Sequence, residues 1–120
     1  MTHVIVISPN QPKDGLMKVI ADVLTTDGLL VTRKRVITIV GNEAFYMEGT
    51  GANPKNRKLG DIPAKLTPLR GRCYVYLVEE AGDDELHISN TMKEIAKHYG
   101  SVYASESVTE TTQMETLLFS

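Results

Sequence analysis

The sequence predicts an α+β domain of the order βαββαβ, with an antiparallel four-stranded sheet and helices packed on one face. Three observations carry this expectation. Runs of β-favouring residues recur at 4–7, 29–40, 72–78 and around 101–107; stretches with helical spacing of apolar residues lie after the first and third of them; Gly and Pro cluster between the elements.

Val4, Ile5, Val6 and Ile7 form a continuous apolar run closed by Ser8-Pro9-Asn10-Gln11-Pro12, the mark of a buried strand ending in a loop. Leu16, Val19, Ile20, Val23 and Leu24 then recur at helical spacing, opened by Gly15 and stopped by Asp27-Gly28. Residues 29–40 return to alternation, with Leu29, Val31, Arg33, Arg35, Ile37 and Ile39 on one side of a long strand that is expected to bulge near its basic centre. Residues 42–47 are expected to form a short helix before the turn-forming stretch from Gly49 to Pro54, and the chain to Pro68 looks loop-like. Cys73 to Val78 is the third strand, and Leu86, Met92, Ile95 and Ala96 mark a second helix ending at Tyr99-Gly100. Residues 101–107 are short and extended, and 112–119 read as a terminal helix with Met114, Leu117 and Leu118 inward. This is the arrangement of ferredoxin-like folds, which host enzymes, metal carriers, RNA binders and regulatory modules alike, so function has to come from the residues.

At 120 residues and 42% hydrophobic, the chain is expected to be a single domain over residues 1–120. No apolar run approaches the roughly 20 residues of a membrane-spanning helix, and the N-terminal residues lack the pattern of a secretory signal. A soluble, cytoplasmic protein with no membrane partner is expected. Cys73 has no second cysteine to pair with and reads as a buried, inert thiol.

The formal net charge of −2 hides an uneven distribution. Residues 1–78 carry 11 Lys and Arg against 6 acids, whereas residues 79–120 carry 2 against 9. Opposed electrical faces suit a phosphate-bearing ligand or head-to-tail contact between subunits; the plainer alternative is two solvated surfaces. The stretch 55–72 concentrates six cations, Lys55, Arg57, Lys58, Lys65, Arg70 and Arg72, against Asp61 alone. Nucleic acid is the less favoured partner, because the chain is acidic overall and Tyr74 and Tyr76 make a poor stacking platform. His3, His87, His98 and Cys73 have no metal-ligand spacing, and no nucleophile elbow or phosphate loop occurs.

Several stretches resemble the nucleoside diphosphate kinase family. Val4-Ile5-Val6-Ile7-Ser8-Pro9-Asn10 followed by Gly15-Leu16 is similar to its first strand and helix start, and Asp27-Gly28-Leu29 to the turn into its second strand. Glu43-Ala44-Phe45-Tyr46 resembles the short helix whose tyrosine packs on the base. The closing Ser101-Val102-Tyr103-Ala104-Ser105-Glu106-Ser107-Val108, then Leu117-Leu118-Phe119, resembles the nucleophile strand and the aromatic-rich end of family members.

The departures fall on the chemistry. Tyr103 stands where the family has its phosphoryl-accepting histidine, Ala104 for the adjacent Gly, and Ser8 for the phosphate-contacting Lys; the phosphate-binding segment expected between Gly100 and Ser101 is missing. Glu115 stands one place from the glutamate that orients the family's histidine. Phosphoryl transfer through the enzyme needs a neutral, unprotonated ring nitrogen near pH 7, and a phenol with a pKa of about 10 does not supply its counterpart. His98 is no simple replacement, since it sits at a helix C-terminus where the dipole favours its charged form.

The resemblance therefore implies a kinase-like fold without a catalytic residue, acting as a nucleotide-responsive or protein-interaction module. Its candidate nucleotide contacts are Tyr46 beneath the base, Lys55, Arg57, Lys58 and Arg70 on phosphates, and Ser105 and Ser107 at the former nucleophile strand. No cofactor is expected, or a magnesium nucleotide if the family's activity persists. Homo-oligomers and a protein partner are further implications, and such reduced catalytic parts would suit a viral chain in its host's cytoplasm. The alternatives are a minimal active kinase with a relocated nucleophile and an unrelated ferredoxin-like module binding protein or nucleic acid.

Overall fold

A computed structural model describes residues 2–11, 13–40, 44–47, 57–58, 69, 71–80 and 85–119. Among these, six strands and three helices follow in the order β1 (Thr2–Pro9), α1 (Leu16–Thr26), β2 (Leu29–Val40), β3 (Ala44–Met47), β4 (Arg57–Lys58), β5 (Gly71–Glu80), α2 (Glu85–His98), β6 (Gly100–Ala104) and α3 (Val108–Leu118). The strands form one sheet in the order β4-β3-β2-β5-β1-β6, antiparallel at every pairing. Its four central and outer strands β2-β5-β1-β6, together with α1 and α2, make the expected βαββαβ unit and are compatible with a ferredoxin-like fold.

Two expectations are corrected. Residues 44–47 are a strand rather than part of a short helix, pairing from Val40 opposite Ala44 to Ile37 opposite Met47. A six-residue segment forms too little helix to repay nucleation, whereas Phe45 and Tyr46 favour a pleated surface and the far end of β2 offers backbone groups that need partners.

The helices do not all lie on one face. Ile5 and Ile7 of β1 and Tyr74, Tyr76 and Val78 of β5 pack with Ile20 and Leu24 of α1 and Ile88 and Ile95 of α2. On the opposite face, Val4 and Val6, with Cys73, Val75 and Leu77, pack with Met114, Leu118 and Phe119 at α3. The cause lies in the continuous apolar runs of β1 and β5: successive side chains point to opposite faces, so a strand apolar at every position needs a cover on both.

β2 decides what fastens α3. Strict alternation would put Leu29, Val31, Arg33, Arg35 and Ile37 on one face, but the register with β5 shifts between Val31 and Arg33. The expected bulge is therefore present, with the Thr32 hydroxyl donating to the Leu77 carbonyl at 3.1 Å. Its effect is to leave Leu29 and Val31 with the α1 and α2 cluster while Ile37 joins the α3 cluster. Arg33 and Arg35 turn the same way as Ile37. Arg33 Nη2 donates to the Phe119 carbonyl at 2.9 Å, Arg35 Nη1 to the Leu118 carbonyl at 3.1 Å, and both guanidinium groups lie over the Phe119 ring, at 5.0 and 6.0 Å. Two cations thus satisfy carbonyls that a helix C-terminus leaves open, at the negative end of its dipole. Two of the three cations at the centre of β2 are accounted for by this clamp; Lys34 is exposed opposite Tyr76.

Candidate functional site

β6 and the turn into α3 carry three of the described candidates, Tyr103, Ser105 and Ser107. Tyr103 pairs with Val6 of β1 and its ring packs against the α3 side of the sheet. Its hydroxyl donates to Glu110 Oε1 of α3. Burial pushes the phenol well above its ordinary range, and the Glu110 bond and the charges of Glu110 and Glu106 push it the same way. The acid that bonds Tyr103 is thus Glu110 and not Glu115, the residue one place from the glutamate that the resemblance points to. It comes within reach because Ser107 starts α3 here, its hydroxyl accepting from Glu110 N at 3.1 Å.

Ser105 is buried and forms part of a directed chain of hydrogen bonds. Val4 N donates to Ser105 Oγ at 2.9 Å; Ser105 Oγ lies 2.6 Å from Thr111 Oγ1; and Thr111 Oγ1 donates to the Ser107 carbonyl at 2.8 Å. A hydroxyl has one proton, so Thr111 spends its own on Ser107 and Ser105 must donate to Thr111. Both candidate serines are engaged in building the turn that presents Tyr103 to Glu110.

Ser8 shares the Val6 face of β1 and hydrogen-bonds Cys73. Cys73 is fully buried as expected, and burial pushes its thiol up to about 11, the Ser8 bond pulling it slightly back. A thiol raised in the folded state from an ordinary 9.0 contributes stability that is complete below pH 9.0 and lost as pH rises through about 11. In urea titrations the unfolding midpoint is expected to hold to about pH 8.5 and to fall above it, less steeply in Cys73→Ala. Parallel declines in the two proteins would refute a contribution from this thiol.

The remaining candidates do not gather here. Tyr46 lies on β3 opposite Thr38, and Arg57 and Lys58 form β4, at the sheet edge opposite β6. Four strand spacings separate the backbones of Tyr46 and Tyr103, about 19 Å at about 4.8 Å per step. Lys55 and Arg70 lie outside the described residues. His98 is exposed at the end of α2, its ring edge-on to Tyr99 with centroids 6.3 Å apart, beside a cleft of 400 Å³ lined by Asn10, Lys13 and Tyr99 among others.

One pair was not foreseen. His3 and Glu80, both 6% exposed, meet with Nε2 3.3 Å from Oε2. His3 sits opposite Val78 in the β1 and β5 register, which brings Glu80 two residues further along β5 to its side. The two are 77 positions apart in the chain, so only the strand register could have disclosed them. Among the described residues no group of three or more His, Cys, Asp or Glu is placed to hold a metal, and no helix is long and apolar enough to cross a membrane.

Fold and site together define an antiparallel α+β domain with helices on both faces of the sheet and a hydrogen-bonded tyrosine at the junction of its last strand and last helix. Neither the protein-family models nor the curated proteins compared with the chain give a match.

Proposed function

We propose that the chain is a nucleoside diphosphate kinase-like domain that does not transfer phosphate and serves as a nucleotide-responsive or protein-interaction module. The state of Tyr103 carries this reading. A phosphoryl acceptor must be available in its nucleophilic form at neutral pH, whereas the Tyr103 hydroxyl donates a hydrogen bond to Glu110 and is held as the neutral phenol by burial, by that bond and by two carboxylates. Ser8 supplies no cation to a phosphate and bonds Cys73 instead. What remains for a nucleotide is the basic stretch 55–72, with Tyr46 for the base.

Incubation with γ-labelled ATP is expected to leave the protein unlabelled, with no transfer of phosphate to a nucleoside diphosphate. An acid-labile, alkali-stable label that disappears in His98→Ala would overturn the proposal in favour of an active kinase with a relocated nucleophile. Thermal scans with ADP are expected to raise the melting temperature of the native chain and to do so less in Tyr46→Ala and Arg57→Ala.

A further inference from the structure

A cleft of 450 Å³ runs between α2 and the outer edge of β6, lined among others by His3, Ile88, Ser89, Met92, Val102 and Glu106. The volume lies within the roughly 300–1,000 Å³ typical of small-ligand sites. Tyr103, Ala104 and Ser105 line the cleft as well.

The polar group at its base is His3. Nε2 faces the Glu80 carboxylate at 3.3 Å, and the tautomer that donates to it carries the ring proton on Nε2. In the neutral ring the lone pair then belongs to Nδ1, which has no partner among the described residues. A carboxylate that fixes the tautomer of an imbedded imidazole leaves its second nitrogen ready to accept a proton donor. The walls are apolar: Ile88 and Met92 from α2, and Val102 from β6. Glu106 stands on the rim. With Ile5 opposite Ala104, the strand register carried two residues further puts Glu106 across from His3. Among the described residues no Lys or Arg lines the cleft, and Glu106 places a carboxylate on its rim, so the lining favours a cation over an anion.

We propose that this cleft binds a small arylalkylammonium ion, its ring held between Met92 and Val102, one N–H donated to His3 Nδ1 and its positive charge facing Glu106. Thioether contact with an aromatic ring and a charge-assisted bond at the rim supply the attraction, and the apolar walls exclude water from it.

The test uses the whole chain labelled with ¹⁵N at mildly alkaline pH, with benzylamine as the probe and benzoate as its anionic counterpart. The free protein is expected to show His3 as the Nε2–H tautomer. Benzylamine should move the His3 Nδ1 and Met92 methyl resonances with a Kd of about 1 mM, while benzoate leaves them in place. Ser89→Trp fills the cleft from an exposed position, and Glu106→Gln removes the rim charge from another; each should weaken benzylamine about tenfold or more. An Nδ1–H tautomer, no response to about 50 mM benzylamine, equal binding of benzoate, or unchanged affinity in both variants would each overturn the proposal.

Discussion

Gly100→Ala is expected to destabilise the protein by about 3 kcal/mol or more and to lower its melting temperature by about 10 °C. Gly100 has φ +151°, a conformation L side chains rarely adopt, and a Cβ built there would lie 2.2 Å from the Ser8 carbonyl oxygen, 2.8 Å from Pro9 Cα and 2.9 Å from Asn10 N. All three are backbone atoms, so no side chain can swing aside. Relief would need β1 and β6 to part where Pro9 pairs with Gly100 and where Asn10 N donates to the Tyr99 carbonyl at 2.9 Å. Urea denaturation of the variant against wild type measures the loss. A difference under about 1 kcal/mol would show that the two strands do not approach this closely.

Met114→Ala is expected to cost about 3 kcal/mol, the usual scale for emptying a fully buried position. Met114 packs in the cluster of Val4, Val6 and Val75, so its loss opens a cavity between α3 and the sheet. Met114→Leu should stay within about 1.5 kcal/mol of wild type, because volume is nearly conserved. Arg35→Ala, which removes one of the two clamps on the end of α3, should cost about 1 kcal/mol. Hydrogen exchange then separates the helices: α3 amides lose protection in Met114→Ala and Arg35→Ala before those of α1 do. A loss under about 1 kcal/mol for Met114→Ala would mean that α3 merely rests on the sheet.

The family resemblance singles out Tyr103 in the sequence, but not the acid it bonds, Glu110. Glu115 stood near the expected place by count, whereas Glu110 won because Ser107 caps α3 and orients the first turn toward β6. Ser105 and Ser107 were legible as polar residues at a strand end; their hydrogen bonds to Val4, Thr111 and Glu110 needed the turn to be closed. Of the six cations of the basic stretch, Arg57, Lys58 and Arg72 fall among the described residues: Arg72 lies on β5 opposite Thr38, and the place of Arg57 and Lys58 at the far sheet edge follows from β3, a strand that the helical reading of residues 42–47 hides.

What the sequence determined by itself is local. The apolar runs of β1 and β5, the helical spacing in α1 and α2, the bulge in β2 and the burial of Cys73 follow from propensity and periodicity over a few residues, which act before any distant contact forms. Only the tertiary structure decided that α3 covers the second face, that Arg33 and Arg35 turn toward it, and that His3 meets Glu80. Those outcomes depend on strand order and register, and a shift of one residue sends each side chain to the other face, so they are set by packing between segments far apart in the chain.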